Sequence, residues 1–254
     1  MGRVLALWCH PRSLSTAFER MMSERGDVTI VHEPFLYLYY VVQNPHLVIG
    51  RQLDRIEPWM EDEFDEIVDR IERATDDGPV FFKDMALHVH NPAGFHADER
   101  FLGRYTNAFM IRDPAVAILS HLRQNPDMEF EEVGDDAQFA LFETVRRVSG
   151  ETPVVVDAAD LERDPDGIIR GYCDAVGIPF IPSALHWPPS IPAHLNHDDP
   201  WHQDLLGTTG FERNIEAFDP GLRSHPRFAE YLERSMVYYE AMREHRIGQL
   251  PGRR

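Results

Sequence analysis

Four groups of residues carry side chains able to do chemistry. The first is Arg12-Ser13-Leu14-Ser15-Thr16, a guanidinium and three hydroxyls just after an apolar run. The second is Glu33, the third is Lys83-Asp84, and the fourth is Arg112-Asp113-Pro114, with Ser120 eight residues after Arg112. Hydroxyls, a guanidinium and free N–H groups at a helix start favour an anion, and the positive helix end adds to this. Arg112 and Ser120 can share an anion only over the flank of the following helix, which makes a second, separate anion site. A carboxylate at a strand end can take a proton if its pKa is raised. Lys83 is the only lysine among 25 basic residues. Every other basic position has gone to Arg, so a compact, rotatable ammonium is specifically wanted there.

These groups need elements to position them. Arg3 to Cys9 is a continuous apolar run and reads as a buried strand. A helix starting at Ser15 or Thr16 runs to about Arg25, with Ala17, Phe18, Met21 and Met22 on one face. Val28 to His32, Pro79 to Lys83, Asn107 to Ile111 and Val154 to Val156 read as further strands. Helices are predicted over the aromatic stretch Phe35 to Tyr40, Met60 to Ala74, Pro114 to about Leu122, Ala137 to Val148, Pro165 to Val176 and Arg227 to Glu244. The Pro- and His-rich stretch from Pro179 to Pro200 reads as irregular, and Pro251 to Arg254 as a loose tail. Strands alternating with helices imply an α/β chain with a central parallel sheet and helices on both faces. In such sheets ligands sit beyond the carboxyl ends of the strands, where all four groups fall. No linker divides the chain, so residues 1–254 are expected to form one domain.

Each group also has a plainer reading. Ser15 could simply cap the helix with Arg12 on the surface, and Glu33 could cap the turn before Pro34. Asp113 with Pro114 suits a helix start, which leaves Arg112 uncommitted. The first loop is not a Walker A loop: it lacks the Gly-Lys pair, and Leu14 stands where a Gly might be expected. That weakens an ATP-dependent phosphotransferase reading without removing it.

Pro11-Arg12-Ser13-Leu14-Ser15-Thr16, Glu33, Lys83-Asp84 and Arg112-Asp113-Pro114 with Ser120 resemble, in matching order, the PAPS-dependent sulfotransferases. The likeness is greatest to the branch with tyrosylprotein and bacterial small-molecule enzymes. It covers roughly residues 3–170. It implies a P-loop-like α/β sulfotransferase fold, PAPS as sulfuryl donor, 3′,5′-ADP as product and no required metal. By position, Arg12, Ser13, Leu14, Ser15 and Thr16 would hold the 5′-phosphosulfate, and Arg112 and Ser120 the 3′-phosphate. Glu33 would be the general base and Lys83 would neutralise the leaving oxygen. Leu14 departs from the small residue usual in the loop. Ala158-Ala159-Asp160-Leu161 lacks the Tyr usual before its acidic residue. His88 and His90, five and seven residues after Lys83, lie too far along to match the His base of the cytosolic branch. A non-catalytic nucleotide-binding module of the same fold stays open as a third reading.

The acceptor is expected to be a small hydroxylated molecule, with Phe35, Tyr37, Tyr39, Tyr40 and Trp59 supplying an aromatic lining or, equally, a packed helix. Gly207 to Phe211 could close over the nucleotide. His186, His194, His197 and His202 match no compact metal-ligand spacing, and His88 and His90 would share a strand face with no carboxylate partner. The net charge is −18, from 43 acidic and 25 basic residues. This opposes nucleic-acid binding and implies that any anion is held by a local cluster. No apolar run is long enough to span a bilayer, and no secretory signal is evident. Two cysteines, Cys9 and Cys173, make no disulfide scaffold and suit a reducing cytoplasm.

Overall fold

The computed structural model describes residues 2–45, 63–90, 96–192, 194–195, 205–211 and 220–248. Trp59, His197, His202 and the tail Pro251 to Arg254 lie outside the described residues. In chain order the strands are β1 (Val4–Cys9), β2 (Thr29–His32), β3 (Val80–Met85), β4 (Thr106–Ile111) and β5 (Val154–Asp157). The α-helices are α1 (Ser15–Glu24), α2 (Phe64–Ala74), α3 (Ala86–Val89), α4 (Glu99–Arg104), α5 (Pro114–Gln124), α6 (Asp135–Ser149), α7 (Ala158–Arg163), α8 (Pro165–Val176), α9 (Pro220–Arg223) and α10 (Pro226–Arg243). The sheet is parallel throughout, in the order β2-β3-β1-β4-β5.

The central strands read as apolar runs because both their faces are covered. Leu5, Leu7, Cys9 and Phe81 face α1 and α8, where they pack with Phe18, Met21, Tyr172 and Cys173. Val4, Ala6, Trp8 and Phe82 face the other layer, where they meet Ile67, Phe101, Phe142 and Met242 from α2, α4, α6 and α10. Trp8 anchors that side: its indole N–H donates to Asn107 Oδ1 at 2.8 Å, which satisfies the polar edge of a buried ring. A smaller core forms where Ile118, Leu119 and Leu122 of α5 meet Phe228 and Tyr231 of α10.

Strand alternation decides where the polar stations point. Lys83 shares a parity with Phe81 and pairs in register with Leu7 and His32, on the α1 face. Asp84 shares a parity with Phe82 and pairs with Trp8, on the opposite face. Two neighbours in sequence thus serve two sides of the sheet. The aromatic stretch after Glu33 forms a π-helix, Leu38–Gln43, a wide turn often found at functional sites.

Candidate active site

The loop after β1 runs against backbone preference. Arg12 has φ 66° and Leu14 φ 74°, both in the left-handed region that favours glycine. Glu33, just past the end of β2, has φ 34°. These three are the only non-glycine residues with positive φ among the described residues, and all three sit at the strand-end stations. Local strain of this kind costs of order 1 kcal/mol or more per residue and persists where the surroundings impose it. The conformation at position 14 explains why a glycine is the natural expectation there. Leu14 retains some compensation by packing against the α1-side core.

Leu14 is the N-cap of α1, and no side chain caps that helix end. The capping reading for Ser15 therefore does not hold: Ser15 is the first helical residue. Ser13 is fully buried, and its Oγ has no hydrogen-bond partner among the described residues. A buried hydroxyl without a partner costs roughly 1–3 kcal/mol. The loop therefore offers a positive helix end, the N–H groups of the first turn and an unused hydroxyl, a donor set that fits a phosphate or sulfate group.

The fourth station meets the first directly. Arg12 Nε donates to Ser120 Oγ at 2.8 Å, joining the loop to α5. Arg112 Nη1 donates to the Arg12 carbonyl at 3.0 Å, so its guanidinium lies against the loop rather than away from it. Arg112 Nη2 also stands 3.5 Å from Glu162 Oε1 of α7. Asp113 caps α5 through the Ala115 N–H, with Pro114 in the first turn, so cap and cation coexist. Ser120 is buried on α5.

Glu33 and Lys83 form a buried ion pair between Lys83 Nζ and Glu33 Oε1. Burial alone would raise the Glu33 pKa. The Lys83 ammonium, helped by His32 and His88, overrides this and holds the carboxyl well below its ordinary range. Burial would likewise lower Lys83, but Glu33 and then Glu19 outweigh it and push the ammonium above its ordinary value. Glu19 of α1 is fully buried on the same face, and the His32 ring stands 2.9 Å from its Oε2. Cys9 lies beside this cluster. Burial pushes its thiol up to about 12, so it is no nucleophile.

Asp84 does different work on the other face. Its Oδ2 accepts the Phe35 N–H and its Oδ1 the Met85 N–H, both at 2.7 Å, and Oδ1 also holds His88 Nδ1 at 2.6 Å. His88 and His90 do not share a strand face as expected: β3 ends at Met85, and α3 closes one turn there instead. That turn gives His88 the carboxylate partner the sequence reading missed. The ring packs against Tyr39 and Tyr40, at 5.0 and 5.3 Å between ring centres, and its Nε2 has no hydrogen-bond partner among the described residues.

The aromatic residues divide. Phe35 is fully buried, and Phe64, Phe82 and Phe101 take up its ring, so its placement is that of a core side chain. Tyr37 is partly exposed, and Tyr40 is buried against Tyr39 and His88. The Gly207 to Phe211 segment docks on Trp187: the Trp187 N–H donates to the Thr209 carbonyl at 3.1 Å, and Phe211 meets its ring edge-on. Among the described residues no group of three or more His, Cys, Asp or Glu side chains could hold a metal. Both cysteines are free and buried. No helix among the described residues is long and apolar enough to cross a membrane.

Two curated relatives from Arabidopsis thaliana, branched-chain-amino-acid aminotransferase-like proteins 1 and 2, are 27% and 26% identical over 95% and 82% of this chain. The chain spans only 42% and 36% of their lengths. Among solved structures, the sulfotransferase domain from the Synechococcus PCC 7002 olefin synthase superposes with a TM-score of 0.50 at 18% identity, covering 95% of both chains. A sulfotransferase domain from the curacin biosynthetic pathway gives a TM-score of 0.46 at 12% identity, over 94% of this chain and 98% of that one. The family model described as "Sulfotransferase domain" matches residues 3–246, and the chain belongs to that family.

Proposed function

We propose that the protein transfers a sulfuryl group from PAPS to a hydroxyl of a small-molecule acceptor and releases 3′,5′-ADP. The observation that supports this most is the meeting of Lys83 and Glu33 at one end of a parallel sheet whose adjacent strand ends carry the Arg12 loop and Arg112. The loop residues Arg12, Ser13, Leu14, Ser15 and Thr16 hold the 5′ end of the donor. Arg112 and Ser120 hold its 3′-phosphate. Glu33 accepts the proton of the acceptor hydroxyl as that oxygen bonds to sulfur. The sulfur–oxygen bond to the nucleotide phosphate breaks, its electron pair stays on the phosphate oxygen, and Lys83 neutralises the charge gathering there. Such a transfer asks for alignment and charge stabilisation rather than covalent help.

The ion pair couples these two tasks. While Lys83 pairs with Glu33, the carboxylate is a weak base. As the leaving oxygen draws the ammonium towards itself, the largest influence opposing the burial of Glu33 weakens and its proton affinity rises. The base therefore strengthens when the leaving group needs the cation. The acceptor approaches from the side of the π-helix, with Tyr37 and Tyr40 on its path. The donor needs no metal in this scheme. The protein acts in the cytoplasm on a soluble metabolite, with neither nucleic acid nor membrane as partner.

Calorimetric titration with 3′,5′-ADP, 5′-AMP and ATP–Mg²⁺, beside a radiolabelled PAPS transfer assay on a panel of small alcohols and phenols, tests the reading. We expect 3′,5′-ADP to bind about tenfold or more tighter than 5′-AMP, since the 3′-phosphate gains charged hydrogen bonds, and label to reach at least one acceptor. Preference for ATP–Mg²⁺ would point to a phosphotransferase instead. Tight 3′,5′-ADP binding with no transfer to any acceptor would leave a non-catalytic module.

A further inference from the structure

His10 is a buried polar residue that the proposed transfer does not use. It follows β1 directly, and its side chain is 1% exposed. Its ring makes two hydrogen bonds of opposite sense. The backbone N–H of Arg112 donates to Nε2 at 3.2 Å, so that nitrogen carries no proton. Nδ1 therefore carries the proton and donates to the Pro11 carbonyl at 3.0 Å. Burial favours the same neutral ring by lowering its pKa. A charged ring could not accept from Arg112.

The place of this bond matters. The β1–β4 ladder ends at Cys9↔Met110. Past that pair, β1 turns into the strained Arg12 loop and β4 into Arg112-Asp113-Pro114. Nothing in the sheet sets the distance between the two chains there. The His10 ring carries the register one step beyond the sheet, from one anion station to the other. Arg112 is thus tied to the loop at both ends, through its backbone to His10 and through its guanidinium to the Arg12 carbonyl. The ring itself is held in place from α6. Asp135 Oδ1 stands 3.7 Å from Nδ1. Gly134 packs so closely that a Cβ there would come within 3.2 Å of Pro11 and 3.7 Å of His10.

We propose that His10 is a positioning residue that fixes the spacing between the two anion stations, and so sets the preference for a nucleotide with phosphates at both the 3′ and 5′ positions. The proposal rests on the sulfotransferase reading and adds a residue that touches neither phosphate. A rigid gauge rewards a ligand whose two phosphates match it and gives nothing to a ligand with one. Losing the gauge should therefore weaken only two-point binding.

The test is titration of wild type, His10→Ala and His10→Gln with 3′,5′-ADP, 2′,5′-ADP and 5′-AMP. The glutamine carboxamide can accept the Arg112 N–H in place of Nε2. In His10→Ala we expect 3′,5′-ADP affinity to fall about tenfold, the worth of one well-placed hydrogen bond, with 5′-AMP unchanged within about twofold. Discrimination against 2′,5′-ADP should shrink in parallel, and His10→Gln should restore most of it. Equal losses for all three nucleotides would make His10 a merely structural residue and overturn the proposal. So would a His10→Ala protein that discriminates as wild type does, and in that case the sulfotransferase reading survives. A wild type with no preference for 3′,5′-ADP ends both. Should His10→Ala fail to fold, nitrogen–nitrogen scalar coupling across the Arg112 N–H···Nε2 bond, measured by NMR on labelled wild-type chain, still decides. Its presence, lost in His10→Gln, supports the gauge, and its absence overturns it.

Discussion

Lys83 and Glu33, fifty residues apart in sequence, meet as a buried ion pair at the ends of adjacent strands. Strand pairing brings them together: His32 stands opposite Lys83 in the β2–β3 register, and the Glu33 N–H donates to the Lys83 carbonyl at 3.0 Å. Backbone and side chains thus hold the same two residues. The only lysine of the chain sits where an ammonium can turn from one oxygen to another without changing its backbone.

Lys83→Ala should abolish transfer while leaving 3′,5′-ADP affinity within about threefold of wild type, because in the proposed scheme Lys83 meets only the one 5′-phosphate oxygen that parts from sulfur, while the Arg12 loop and Arg112 hold the rest of the nucleotide. Lys83→Arg keeps the charge but not the compact, rotating donor, and should recover little turnover. Stability should fall by roughly 3 kcal/mol in Lys83→Ala, since Glu33 is left charged and buried without its partner. Adding Glu33→Gln should return part of that loss. Denaturant titration of the two variants and the double variant measures the coupling. Simple additivity would show that the pair does not interact.

Glu33→Gln should cut turnover by about 10²–10⁴, the usual worth of a positioned base, with nucleotide affinity retained. The sign of the pH dependence follows from the ion pair. A base must be deprotonated to act, and Lys83 holds the Glu33 carboxyl below its ordinary value of 4.5. In the free enzyme kcat/KM should therefore stay flat as pH falls to that value and decline only below it. An ascending limb centred near neutrality, surviving in Glu33→Gln, would assign the base elsewhere. The buried His88 would then be the first residue to examine.

The strands were legible because parallel strands covered on both faces are unbroken apolar runs, and β1 and β4 each end where a turn-forming or charged residue interrupts one, whereas β3 runs on through Lys83 and Asp84 to Met85, two residues past its predicted end. Strand order was not legible, since pairing is a tertiary choice, and so the neighbours Lys83–Glu33 and Arg12–Ser120 could be grouped but not joined. The one-turn helix α3 is too short for any periodicity to show, which hid the Asp84–His88 pair. Phe35 looked like a pocket residue because aromatic spacing alone does not tell a lining from a core. Glu19 drew no notice: a carboxylate on an amphipathic helix reads as solvated, and only the fold shows that His32 and Lys83 surround it.

That buried carboxylate predicts a stability window. Burial would raise the Glu19 pKa, but His32 outweighs it and lowers it from 4.5. Its stabilisation is complete above 4.5 and fades as pH falls through the lower folded value. Burial would lower His32, but Glu19 raises it from 6.5. That contribution is complete below 6.5 and fades as pH rises through the higher folded value. The stability gap between wild type and Glu19→Gln should therefore be widest between pH 4.5 and 6.5 and narrow on both sides. Denaturant unfolding across that range measures it. A gap that does not vary with pH would mean that the pair carries no net charge interaction.

Glu162 offers the sharpest check on the second anion station. Its Oε1 lies 3.5 Å from Arg112 Nη2, so a carboxylate already occupies part of the cation's field. A nucleotide 3′-phosphate must share or displace that contact and stand near a like charge. Two effects oppose each other when Glu162 is neutralised: the repulsion goes, but so does one restraint on Arg112. The restraint is the smaller loss, because the Arg112 guanidinium remains bonded to the Arg12 carbonyl and its backbone to His10. Glu162→Gln should therefore tighten 3′,5′-ADP by about three- to tenfold, the scale of a partly screened charge contact, and leave 5′-AMP within about twofold. Calorimetry at low and high salt measures both, and the gain should shrink as salt rises. Weaker 3′,5′-ADP binding in this variant, or an equal gain for 5′-AMP, would place the 3′-phosphate away from Arg112.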